Sequence, residues 1–99
     1  MPKEPARGSS RPPVFLLEYR VGAVEKQDLA QLHQVLRHAV ARLVAAGVSI
    51  RYTHGLFVPG DSRCVHLLEA TDPASVTRAG DIAGLPLTEV RSVIDLASL

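Results

Sequence analysis

Ninety-nine residues make a single domain, close to the lower size at which a chain folds around one core. With 46% apolar and 21% charged residues and a formal charge of +1, the composition is that of an ordinary soluble protein. It offers no basic stripe for a nucleic acid, no apolar run near the roughly 18 residues that span a bilayer, and no secretory leader.

One cysteine excludes an internal disulfide framework and fits a reducing compartment, so a cytoplasmic protein is expected. With two Phe, two Tyr and no Trp, the chain has few aromatic faces on which bases or sugars would stack.

Residues 1–12 lack periodicity and carry Pro2, Pro5, Pro12, Gly8 and Ser9-Ser10, which predicts a disordered N-terminal tail ahead of a domain over 13–99. Val14 to Val21 is rich in residues that suit a pleated sheet. Phe15, Leu17, Tyr19 and Val21 share one face, apolar enough to lie under helices. Leu16, Glu18 and Arg20 share the other, as expected of a solvated or dimer-facing surface.

After Gly22, Leu29, Leu32, Leu36, Ala39 or Val40, and Leu43 form one apolar stripe, predicting a helix from about Lys26 to Ala46 that Gly47 ends. Val48 to Val58 reads as a second strand, with Ile50, Tyr52 and His54 on one face and a bulge expected at Gly55. Pro59-Gly60-Asp61 makes a turn, and Arg63 to Ala70 returns as the third strand of a hairpin. Asp72-Pro73 starts a short second helix, which Gly84 before Leu85-Pro86 ends, with Gly80 as a weak point inside it. Thr88 to Leu96 reads as the last strand.

The order strand, helix, strand, strand, helix, strand is the split unit of an α+β ferredoxin-like βαββαβ domain. The fold expected is a four-stranded antiparallel sheet with two helices on one face, of the dimeric α/β-barrel type. Strand one is also expected to run parallel to strand three through a right-handed crossover. Helices on one face leave the other in need of a partner or ligand, and a homodimer is the expected partner.

Of the four histidines, His33 and His38 sit outside the helix stripe and read as surface residues. Counting outward from a turn centred near Gly60 pairs His54 with His66 across the hairpin, with Cys64 one step toward the turn. If Glu18 points the same way, Glu18, His54, Cys64, His66 and Tyr52 form one patch. Imidazole with thiolate suits zinc, nickel or copper, and a carboxylate completes such a site.

Against this stand two plainer alternatives: Cys64 as a small buried hydrophobe, and His66 hydrogen-bonded to Glu18. A nucleophilic Cys64 activated by His66 or His54 is disfavoured by its position in the middle of a strand. Glu18 with Arg20, and Glu69 with Arg63 or Arg51, are candidate ion pairs.

Several runs are familiar together: Phe15-Leu16-Leu17-Glu18-Tyr19, Ala46-Gly47-Val48 before Ile50-Arg51-Tyr52, Phe57-Val58-Pro59-Gly60-Asp61, Cys64-Val65-His66-Leu67-Leu68-Glu69-Ala70, and Ala83-Gly84-Leu85-Pro86. Over about residues 14–95 the chain resembles a small bacterial family of nickel-responsive, ferredoxin-like proteins that carry a domain of unknown function. The third strand of that family often reads Cys-x-Cys before Leu-x-Glu-Ala, and His66 stands here in place of the second cysteine. The resemblance implies a homodimer that binds or responds to nickel, with Cys64 and His66 as primary ligands for Ni²⁺ or Zn²⁺.

His54, from the hairpin register, or Glu18, from strand one beside strand three, is the supporting ligand expected, and no organic cofactor is expected. The alternative is a cofactor-independent dimeric α/β-barrel enzyme of isomerase, cyclase or monooxygenase type. It would hold an organic molecule among His54, His66, Glu18 and Tyr52.

Overall fold

The structure is a computed structural model and describes residues 12–22, 25–86 and 88–99. The expected tail, apart from Pro12, lies outside those residues. In chain order the elements are β1 (Val14–Arg20), α1 (Lys26–Ala45), β2 (Ile50–Val58), β3 (Arg63–Ala70), α2 (Pro73–Ala83) and β4 (Glu89–Val93). They form one four-stranded sheet in the order β2-β3-β1-β4. Each neighbouring pair is antiparallel.

This is the expected α+β ferredoxin-like arrangement. One detail differs. β1 and β3 run antiparallel, with Tyr19 opposite Cys64 and Leu17 opposite His66. The strands joined through a helix are therefore not neighbours: β3 is inserted between β1 and β2, and β1 between β3 and β4.

One sheet face carries Phe15, Leu17 and Tyr19 from β1, Ile50 from β2, and Cys64, Leu68 and Ala70 from β3. All are buried in one cluster with Leu36, Val40 and Leu43 of α1 and Val76 and Ala79 of α2. Both helices thus cover the same face, and the apolar stripe of α1 meets it as its spacing requires. Leu17, Leu36, Leu43, Leu68 and Val76 are the largest fully buried side chains. Each contributes about 1.5–3 kcal/mol of hydrophobic stabilisation.

The helix ends follow their sequence signals. Glu25 and Asp28 form a reciprocal capping box before α1, and past its end Gly47 takes a φ of +91°. Asp72 caps α2 by accepting from the Ser75 amide at 2.8 Å, and Gly84 ends it at φ +71°. Gly80 faces the sheet, where a Cβ would lie 3.5 Å from Leu17 Cδ1, an ordinary contact distance. β4 is shorter than expected: the Asp95 carboxylate accepts from the Ala97 amide and draws Leu96–Ser98 into a 3-10 turn.

A candidate ligand cleft beneath the first helix

The β2–β3 hairpin decides which side chains meet. Ile50, Arg51 and Tyr52 pair with Ala70, Glu69 and Leu68, the register expected from a turn centred at Gly60. The register then slips at Thr53, so that His54 opposes Leu67, Gly55 opposes His66 and Phe57 opposes Cys64. A bulge was expected in this strand at Gly55, and it falls two residues earlier. One extra residue reverses the face of each side chain between it and the turn.

The expected four-ligand set is therefore divided. Cys64 and His66 lie on the helix-covered face and are buried. His54 and Glu18, opposite Leu67 and Val65, lie on the uncovered face. These four donors do not fit one metal ion. Among the described residues no three His, Cys, Asp or Glu side chains are grouped to hold one.

Tyr52 does meet His66, and Tyr19 joins them. The Tyr52 hydroxyl lies 2.7 Å from His66 Nδ1, and the Tyr19 hydroxyl 3.0 Å from His66 Nε2. Tyr19 also stacks on the imidazole at 5.5 Å with an interplanar angle of 19°, and it stands opposite Cys64 in the β1–β3 register. The result is a chain of three hydrogen-bonded polar side chains, Tyr52–His66–Tyr19, with Cys64 beside it, inside an otherwise aliphatic core. A neutral imidazole has one N–H and one lone pair, so one tyrosine accepts from the ring and the other donates to it. Both ring nitrogens are thereby satisfied, as a buried histidine requires.

Gly55 makes this possible. A Cβ there would stand 2.2 Å from the Tyr52 hydroxyl oxygen and 3.0 Å from His66 Nδ1. The glycine leaves the space in which their hydrogen bond forms. His33, exposed on α1, places its ring edge against Tyr52 at 5.2 Å.

Burial keeps the chain uncharged. Desolvation, helped by the neighbouring His33, lowers the His66 pKa to about 4, so its ring is neutral at pH 7. The same cause raises Tyr52 to about 12, against a smaller opposite pull from Arg37, and raises Tyr19 further. The Cys64 thiol is also pushed up by burial. A buried thiol held protonated is a poor nucleophile.

The inner end of the chain faces a cavity of about 250 Å³ between the first turns of α1 and the sheet. Tyr19, Cys64 and His66 form its polar wall; Leu29, Leu32 and Phe57 supply apolar wall, and His33 also lines it. No Asp, Glu, Lys or Arg among the described residues lines it. The volume lies just below the roughly 300–1,000 Å³ that ligand sites usually occupy.

On the opposite face Glu18 is buried beneath arginines. Arg91 donates to it at 2.5 Å and Arg63 stands 3.6 Å away, where the sequence offered Arg20. Arg51 and Glu69 form a two-bond pair at 3.1 and 2.8 Å. Around these charges Leu16, Val65 and Leu67 are half-buried, and Leu56 and Val58 are exposed.

Tyr19 and Gly55 are the site residues that sequence reasoning missed. Tyr19 had been placed correctly under the helices, and an antiparallel β1–β3 register would have set it opposite Cys64. Among the described residues no helix is long and apolar enough to cross a membrane.

No protein-family model and no curated protein matches the chain. Among solved structures, the crystal structure of SCO4226 from Streptomyces coelicolor A3(2) is similar at a TM-score of 0.65 and 20% identity. The match covers 81% of this chain and 94% of that one. At this identity the likeness shows the shared fold.

Proposed function

We propose that this chain is a small-molecule-binding protein whose ligand enters the cleft between α1 and the β2–β3 hairpin. The observation that carries the proposal is the polar chain Tyr52–His66–Tyr19, with Cys64 beside it, ending on a cavity walled by Leu29, Leu32 and Phe57. An apolar cleft with a few convergent polar groups is the usual form of a small-ligand site. Three hydrogen-bonded polar side chains in a core this small stabilise little compared with leucines, which favours a role beyond packing.

Thermal unfolding against a library of small neutral organic molecules tests it. Ala30 lines the cleft and is exposed on α1, so Ala30→Trp fills the space without disturbing the core. Ligands of the cleft should raise the midpoint of the wild type and leave that variant unchanged. Equal stabilisation of both would refute the assignment.

Nickel or zinc binding is the second reading, supported by Cys64 and His66 standing two residues apart on one face of β3 and lining the same cleft. Calorimetric titration with Ni²⁺ and Zn²⁺ separates the two. Stoichiometric binding lost in the Cys64→Ala/His66→Ala double variant would establish the metal role in place of the organic one.

The uncovered sheet face, with Leu16, Val65, Leu67, Leu56 and Val58, is proposed as the contact of a homodimer. Light scattering should give twice the chain mass for the wild type and the single mass for Val65→Asp/Leu67→Asp. A monomeric wild type would contradict it. The lone buried thiol of Cys64 fits a reducing, cytoplasmic setting.

A further inference from the structure

Resting on the proposed homodimer, we infer that the segment after β4, Ile94 to Leu99, is an arm that packs against a second copy of this chain and completes the sheet-face contact. The exposed aliphatic side chains point to it. Among the described residues six large aliphatics are exposed, and five of them, Leu56, Val58, Ile94, Leu96 and Leu99, lie on the uncovered face or on this segment. Val44, on α1, is the sixth.

The two groups are continuous. On the uncovered face Leu56 opposes Val65, Leu67 opposes Leu16, and Val14 opposes Val93, so aliphatic pairs step across all four strands. Ile94 follows Val93 directly, and the band passes from β4 into the segment. The segment has a shape of its own: the Asp95 carboxylate accepts from the Ala97 amide at 3.0 Å at the start of the Leu96–Ser98 turn. A pre-shaped segment loses less conformational entropy on docking.

Area sets the need for an arm. The strands hold 7, 9, 8 and 5 residues, and at a rise of about 3.4 Å and a spacing of about 4.8 Å they present a face of about 470 Å². A stable dimer buries about 800 Å² on each partner. Ile94, Leu96 and Leu99, 73–89% exposed, each add on the order of 100 Å² of apolar surface, which brings the total close to that size.

A second copy is the occupant that fits. An isologous contact sets the face against itself, so unpaired like charges along the band would oppose it. The carboxylates flanking the band are already closed within one chain, Glu18 on Arg91 and Glu69 on Arg51. The same symmetry covers the arm and the face of both copies in one contact.

Sedimentation equilibrium tests the arm on the wild type, on Ile94→Ser/Leu96→Ser/Leu99→Ser and, as a control off the band, on Val44→Ser. The arm variant should keep the wild-type amide shifts in α1 and α2, because its substitutions fall at exposed positions. Its dissociation constant should rise by about a hundredfold or more, whereas Val44→Ser leaves it unchanged. In a mixed dimer of labelled and unlabelled copies, isotope-filtered NOEs should join the Ile94, Leu96 and Leu99 methyls to the other copy. An arm variant that dimerises as tightly as the wild type, or a wild-type dimer without those NOEs, overturns the arm and leaves the sheet-face dimer standing. A dimer kept in Val65→Asp/Leu67→Asp and lost in the arm variant supports the arm and overturns the sheet-face reading. A wild type that stays monomeric at millimolar concentration overturns both.

Discussion

Acidification should destabilise this protein through His66. The imidazole titrates near 6.5 in an unfolded chain and at about 4 in the folded one, because burial opposes its charge. Above pH 6.5 both states hold it neutral and stability is independent of it. Between pH 6.5 and 4 the unfolded state binds a proton that the folded state does not, so stability falls by about 1.4 kcal/mol per pH unit. Below pH 4 both are protonated and the loss levels off at about 3 kcal/mol.

Asp72, whose carboxylate the Ser75 amide and hydroxyl hold below its usual range, adds its loss at lower pH, outside this window. Urea unfolding from pH 7.5 to 4 gives the slope, and the His66 Cε1 proton resonance gives the folded-state pKa directly. The His66→Gln variant, which keeps an amide between the two tyrosines, should flatten that part of the profile. A His66 resonance titrating near 6.5, or a stability profile flat over this window, would refute the account of a buried neutral imidazole.

Glycine substitutions should diverge in sign, measured by denaturant unfolding. Gly55→Ala drives a methyl into the Tyr52–His66 hydrogen bond and should cost about 1–3 kcal/mol. Gly80→Ala finds ordinary contact with Leu17 and should stabilise α2 by up to about 1 kcal/mol. At Gly84, with φ +71°, alanine should cost about 1–2 kcal/mol. Tyr52→Phe removes the partner of His66 Nδ1, so it should destabilise by about 1–3 kcal/mol and shift the His66 resonance.

The periodicities that built the fold were local and strong. The Leu29-to-Leu43 stripe, the Asp72-Pro73 start and the Gly47 and Gly84 stops each have a physical cause confined to neighbouring residues. That confinement made the two helices and the order of elements along the chain legible.

The site depends on pairings between distant segments. On β3 the set Cys64, His66, Leu68, Ala70 has three apolar residues and no charge, against two apolar and two charged residues in Arg63, Val65, Leu67, Glu69, so alternation points the first set to the helices but does not say which β2 residues meet it. Counting from the turn gave the correct register as far as Tyr52 opposite Leu68, and one unpaired residue, Thr53, moved His54 to the other face. No local signal marks Thr53 as the bulge, while Gly55, the residue that drew notice, is small for a different reason: Tyr52 and His66 meet across it.

The most direct test of the proposed cleft is an NMR fragment screen on the wild type and Ala30→Trp proteins, mapped onto assigned resonances. The account predicts neutral fragments whose shifts concentrate on Leu29, Leu32, Phe57 and Cys64 and disappear in the filled variant. Shifts that persist in Ala30→Trp, or that gather around Leu16, Val65 and Leu67 on the uncovered face, would contradict it.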